Sequence, residues 1–96
     1  MFGLNKLEAT FRDAANQMKQ IPSDVASTMG QAHRFECYGY YKQATLGDIN
    51  TPQPHLLNQR DNAKWWAWKN VQGLTKEEAM EKYITTTEVF RKQQKH

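Results

Sequence analysis

The chain has 96 residues, 13 lysines and arginines against 10 acids, a formal net charge of +3 and a single cysteine. That length predicts one domain over residues 1–96 with one small core. The lone Cys37 excludes an internal disulfide and a cysteine-rich metal site. No apolar run approaches the length of a membrane span. The basic excess is concentrated late, since residues 1–48 hold five basic and five acidic side chains and residues 49–96 hold eight and five. It suits attraction of an anion but falls short of a nucleic-acid arm or a polybasic membrane tract. Met1-Phe2-Gly3-Leu4 is too short for a signal-peptide core, and Glu8 and Asp13 follow soon after. The expected setting is soluble and cytoplasmic.

Taken in order, the chain predicts four helices. Leu4, Leu7, Phe11, Ala14, Ala15, Met18 and Ile21 recur at spacings of three and four, the apolar stripe of an amphipathic helix. Pro22 ends it by disfavouring the helical conformation of the residue before it. Ser23 to Gly30 reads as a loop with room for one helical turn, in which Ser27 or Thr28 would cap the next helix. That second helix runs from about Gln31 to Leu46, stopped at Gly47. At about 100° per residue, Phe35, Tyr38, Lys42 and Leu46 share one side. Cys37, Tyr40 and Ala44 share the other. With apolar groups on both sides, this helix is expected to touch both the core and a ligand.

Asp48 to Gln59, holding Pro52 and Pro54, is a long connecting loop. Asp61 or Asn62 would cap a short third helix reaching Val71, with Gly73 beyond it. On this helix Lys64 projects between Ala67, Trp68 and Val71. Trp65 and Trp68 share the core side, and Trp66 is expected to be exposed. Thr75-Lys76-Glu77-Glu78 is a capping box that opens the last helix. Its inner face is Ala79, Met80, Tyr83, Ile84, Thr87 and Phe90, and its end is basic.

Catalytic and metal chemistry find no constellation. His33, His55 and His96 lie in unrelated segments, and His55 reads as a solvated loop residue. His33 and Cys37 are four apart, but Cys37 falls on the side of Ala44, where a free cysteine serves as a small buried hydrophobe. Glu77, Glu78 and Glu81 are accounted for by the start of a helix. The five glycines are isolated, so no phosphate-cradling loop exists. No enzyme, metal or nucleic-acid module is expected. What stands out is two lysines, Lys42 and Lys64, planted in apolar faces. They suit a ligand that is part anion and part ring. From the residues alone the bland readings stay open: tyrosines as packing residues with wet hydroxyls, lysines snorkelling past apolar neighbours.

Three motifs in register carry a resemblance. Tyr38-x-x-Tyr41-Lys42-Gln43-Ala44-Thr45-x-Gly47-Asp48-Ile49-Asn50, then Ala63-Lys64-Trp65-x-Ala67-Trp68, then Lys76-Glu77-Glu78-Ala79-Met80-x-x-Tyr83-Ile84 together resemble the acyl-CoA-binding protein family. The similarity runs from near Phe11 to about Lys92. It implies an all-α, up-down-down-up four-helix bundle holding one acyl-CoA in a bowl. It also implies a non-catalytic carrier that protects, pools and delivers medium- to long-chain acyl-CoA thioesters for lipid metabolism. The chain is then a monomer with no cofactor beyond that ligand, touching membranes or acyl-CoA-using enzymes in passing. By position, the resemblance implies that Tyr38, Lys42 and Lys64 meet the 3′-phosphate and Tyr41 faces the adenine. It further implies that Tyr83 closes the site, Lys19 contacts the ligand and Phe35 lies near the acyl chain. The alternative is a helical protein- or membrane-interaction module that has lost the ligand. The chain departs from the family between Pro22 and Tyr38, where it is longer and contains Gly30 and His33-Arg34. It departs again at Arg60-Asp61-Asn62, which replaces a more basic run, and at Trp66, where a carboxylate is usual.

Overall fold

Local capping decides where each helix begins. A computed structural model describes residues 5–26 and 28–93. Helix α1 spans Lys6–Gln20 and starts at a capping box. The Asn5 side chain accepts from the Glu8 amide at 2.7 Å, and Glu8 accepts from the Asn5 amide at 3.3 Å. It ends at Ile21, whose extended backbone (φ −70°, ψ 126°) is what a residue before proline adopts. Phe11, Ala14 and Ala15 are its buried side, with Leu7, Met18 and Ile21 packed at the margin. Leu4, assigned to the same stripe, lies outside the described residues.

The predicted single turn is α2, Ser23–Ala26. Thr28 does not cap the following helix. Its hydroxyl donates to the Val25 carbonyl at 2.6 Å and closes α2 instead. Ser27, the other cap candidate, lies outside the described residues. Helix α3, Gln31–Leu46, therefore begins after Gly30 without a side-chain cap and stops at Gly47, whose φ of 84° suits glycine.

Helix α4, Gln59–Lys69, begins earlier than expected. Its cap is Asn58, which accepts from the Asp61 amide at 3.3 Å, and not Asp61 or Asn62. Asn62 is buried and holds the loop instead. Its amide donates to the Pro54 carbonyl at 3.0 Å, and its oxygen accepts from Gln53 at 3.0 Å. Val71 lies past the helix, in the turn that follows. Helix α5, Lys76–Gln93, opens on the predicted capping box, with the Glu78 amide donating to Thr75 Oγ1 at 3.0 Å and the Thr75 amide to Glu78 Oε1 at 2.9 Å. Ala79, Met80, Tyr83, Thr87 and Phe90 are buried, with Ile84 packed against them, as its pattern predicts.

The long-range contacts fix the directions of the four main helices. Phe11 meets Tyr83 and Gln17 meets Arg91, so α1 and α5 run parallel. His33 reaches Thr86 while Gln43 reaches Leu74, so α3 runs against α5. Lys64 lies over Tyr38 and Lys42 over Trp68, so α3 and α4 run together. The result is the expected up-down-down-up bundle.

The main core lies between α1, α3 and α5. Helix α4 attaches to α3 by close backbone approach, because a Cβ at Gly39 would collide with the Ala67 carbonyl. Gln43, 1% exposed, ties the ends of two connections together. Its Nε2 donates to Asp48 Oδ1 and to the Leu74 carbonyl, both at 2.8 Å. The 47–58 loop is strapped onto α4 by Trp68 Nε1 donating to the Gly47 carbonyl (2.8 Å) and Trp65 Nε1 to the Thr51 carbonyl (2.9 Å). Trp68 is buried as expected, while Trp65 is only half-buried because it packs on this loop. Leu46, placed by the wheel on the apolar side, is 57% exposed. It sits at the helix end, past the last packed turn.

Candidate functional site

The site grows from the Gly39–Ala67 approach. With the two backbones nearly touching there, side chains on either side of the contact are drawn together. Lys42 Nζ lies 5.7 Å from the centroid of the Tyr38 ring and 5.7 Å from that of Trp68. Lys64 Nζ lies 5.3 Å from the same Tyr38 ring. Two ammonium groups from different helices thus share one tyrosine. Among the described residues neither makes an ion pair. The aromatic faces attract the cations without neutralising them.

A second aromatic group stands beside it. Tyr41 stacks on Phe11 at 5.8 Å and meets Tyr83 at 5.8 Å, and Phe11 meets Tyr83 edge-on at 5.2 Å. Tyr83 is only 6% exposed, and burial pushes its phenol up to about 12. Burial, and secondarily the nearby Asp61 carboxylate, raises the Tyr38 phenol too. Both are neutral hydrogen-bonding groups at ordinary pH.

Two openings meet at this point. One, of about 300 Å³, is walled by α1, α3 and α5 and lined by Ala15, Met18, Lys19, Arg34, Cys37, Tyr38, Tyr41 and Tyr83. The other, of about 520 Å³, lies between the N-terminal halves of α3 and α4. Gln31, Arg34, Phe35, Tyr38, Gln59, Arg60, Ala63 and Lys64 line it. Tyr38 and Arg34 line both, so the two openings adjoin at these residues.

The structure therefore brings together all seven candidates. Tyr38 sits at the junction, Lys42 and Lys64 flank its ring, Lys19, Tyr41 and Tyr83 line the smaller opening, and Phe35 lines the larger. Arg34 at the junction was not a candidate. The signal was available, since Gln31, Arg34, Phe35 and Tyr38 fall at i, i+3, i+4 and i+7 of one helix face.

Cys37 is buried, and desolvation first, then the Glu36 charge, pushes its thiol up to about 11. His33 Nε2 donates to the Thr86 carbonyl of α5 at 2.8 Å. His55 lies in the loop, where its Nδ1 accepts from the Leu57 amide at 3.1 Å. His96 lies outside the described residues. Among the described residues no group of three or more His, Cys, Asp or Glu could hold a metal ion.

Fold and cleft together define a helical ligand-binding bundle whose cleft presents phenols and uncompensated cations. A family model described as acyl-CoA-binding protein matches residues 8–87. Acyl-CoA-binding domain-containing protein 1 of Oryza sativa subsp. japonica is 46% identical over 79 residues, 82% of this chain and 82% of that protein. Acyl-CoA-binding domain-containing protein 3 of the same plant is also 46% identical over 79 residues, 82% of this chain, but the match spans only 48% of that longer protein. The crystal structure of Oryza sativa acyl-CoA-binding protein 2 superposes with a TM-score of 0.82 at 38% identity, covering 91% of this chain and 90% of that one. The chain belongs to the acyl-CoA-binding protein family.

Proposed function

We propose that this chain is a non-catalytic carrier of acyl-CoA thioesters, working as a single domain over residues 1–96 and as a monomer in the cytoplasm. In that role it would pool and protect the thioester and hand it to membranes or acyl-CoA-using enzymes in lipid metabolism. The observation that carries the reading is the pair Lys42 and Lys64, poised over one tyrosine ring without an ion-pair partner among the described residues. A phosphate monoester between them gains charge-assisted hydrogen bonds of roughly 1.5–3 kcal/mol each, and the neutral Tyr38 hydroxyl adds a donor. This assigns the 3′-phosphate to Tyr38, Lys42 and Lys64. Tyr41 offers a ring for the adenine, with stacking worth about 1–3 kcal/mol. Tyr83 and Lys19 wall the same opening, and Phe35 carries the acyl chain into the larger one. The raised thiol of Cys37 leaves the cleft without a nucleophile ready to attack the thioester.

Calorimetric titration with octanoyl-CoA and with its 3′-dephospho counterpart tests the assignment. The phosphorylated ligand should bind at least about tenfold more tightly, the equivalent of one charge-assisted bond. Equal affinities would remove the phosphate from Lys42 and Lys64.

A further inference from the structure

The larger opening is not lined as a hydrocarbon slot. Besides Phe35 and Ala63, its lining includes Gln31, Gln59, Arg34 and Arg60, with Tyr38 and Lys64 toward the junction. Arg34 rises from the first turn of α3 and Arg60 from the first turn of α4. Since α3 and α4 run in the same direction, the two arginines arrive at the same end of the cleft. No carboxylate lines that end. Glu36 lines a neighbouring groove between α3 and α4 that shares Phe35 and Ala63 with this opening. Asp61 is engaged at the start of α4, where its carboxylate accepts from Asn58 Nδ2 at 2.8 Å. Among the described residues neither arginine makes an ion pair.

An alkyl chain gains from burial only where it meets apolar surface. Methylenes next to Phe35 and Ala63 meet it, but a terminal methyl placed beside Arg34 and Arg60 would displace their water without replacing its hydrogen bonds. A terminal carboxylate in the same place finds planar forks that match its two oxygens. Arg60 lines only the larger opening, into which Phe35 leads the acyl chain, and Arg34 lines it as well as the smaller one. Resting on the carrier reading above, we infer that Arg34 and Arg60 form a second anion subsite at the acyl end of the cleft. It selects thioesters whose acyl group ends in a carboxylate, the dicarboxylic acyl-CoAs.

The test pairs two ligands of equal carbon count, adipoyl-CoA and hexanoyl-CoA, against the wild-type chain and the Arg34→Gln, Arg60→Gln double variant. Glutamine keeps helix propensity at both exposed positions, and circular dichroism checks the fold. Wild type should bind adipoyl-CoA about tenfold more tightly than hexanoyl-CoA. The double variant should lose that preference through weaker adipoyl-CoA binding, with hexanoyl-CoA much less affected. Equal or tighter binding of hexanoyl-CoA by wild type overturns the subsite while leaving the carrier reading intact. A variant that weakens both ligands by the same factor, with the preference kept, assigns the arginines to the head-group phosphates and also overturns it. Failure of wild type to bind either thioester overturns the carrier reading itself, and the subsite with it.

Discussion

Lys64 of α4 stands 5.3 Å from the ring centroid of Tyr38 of α3, and this contact between helices makes the cleft cationic. A single lysine at either position would be an ordinary solvated charge. Lys42 approaches the same ring at 5.7 Å, so both charges border one tyrosine. Their mutual repulsion is tolerated because each gains a cation–π contact worth about 0.5–1 kcal/mol at an exposed site. An anion relieves that repulsion.

Replacing either lysine therefore removes affinity, with little loss of fold. Lys42→Ala and Lys64→Ala should each weaken acyl-CoA binding by about 1.5–3 kcal/mol. The wild-type affinity should fall as salt is raised, and the variants' affinity should fall less steeply. Titrations at low and high ionic strength, with circular dichroism as the control for folding, read both effects. A salt-independent affinity would contradict the electrostatic site.

Gly39 governs the distance between the helices that carry those lysines. Gly39→Ala puts a methyl group into the Ala67 carbonyl, and backbone cannot swing aside as a flexible side chain does. Forcing α3 and α4 apart should destabilise the fold by about 1–3 kcal/mol and lower Tm. The same shift separates Lys42 from Lys64, so ligand affinity should fall as well. An unchanged Tm would show that the contact is looser than described.

Asp48 links stability to pH. Its carboxylate accepts from Gln43 Nε2 at 2.8 Å and from the Gly73 amide at 2.9 Å. The Gln43 bond first, and the Gly73 bond second, hold its pKa below the ordinary carboxylate value. A pKa depressed on folding contributes stability above the unfolded-state value, and that contribution is lost as pH falls through the folded-state value. Thermal melts of wild type and Asp48→Asn should therefore differ most near neutral pH and converge in acid below the ordinary carboxylate range. Parallel curves across that range would exclude Asp48 as the titrating group.

Cys37 reports on occupancy of the smaller opening. With its thiol pushed up to about 11 by burial, alkylation by iodoacetamide near pH 8 should be far slower than for a free thiol. Bound acyl-CoA should slow it further, because Cys37 lines that opening. Mass spectrometry of timed quenches measures both rates. Rapid labelling of the folded chain, or no protection by ligand, would contradict the placement.

The legible features were those written in a few consecutive residues. Thr75 and Glu78 announce their helix and cap it as read. Gly47 ends α3 with the positive φ that its position suggests. The cap of α4 is Asn58, with Asp61 three residues on, but Asp61 and Asn62 offer equally good capping chemistry in the sequence. Asn62 is instead spent on the loop, where Pro54 and Gln53 meet it. Asn5 and Glu8 form a second capping box, at the spacing of three residues that such a pair requires. Arg34 appeared along the chain only as a departure from the family. Its role as a wall shared by both openings depends on two other helices.

The sequence by itself determined the number of main helices, most of their boundaries and the chemistry available to them. Those properties arise from hydrogen bonds and apolar spacings that span about four residues, all visible in the chain. Only the tertiary structure decided that Lys42 and Lys64 share one ring, and that Arg34 and Arg60 open into the same end of a cleft. Those pairs are far apart in sequence and belong to helices with no local reason to meet. What joins them is the close packing of α3 on α4 at Gly39, where the absence of a side chain lets two backbones touch.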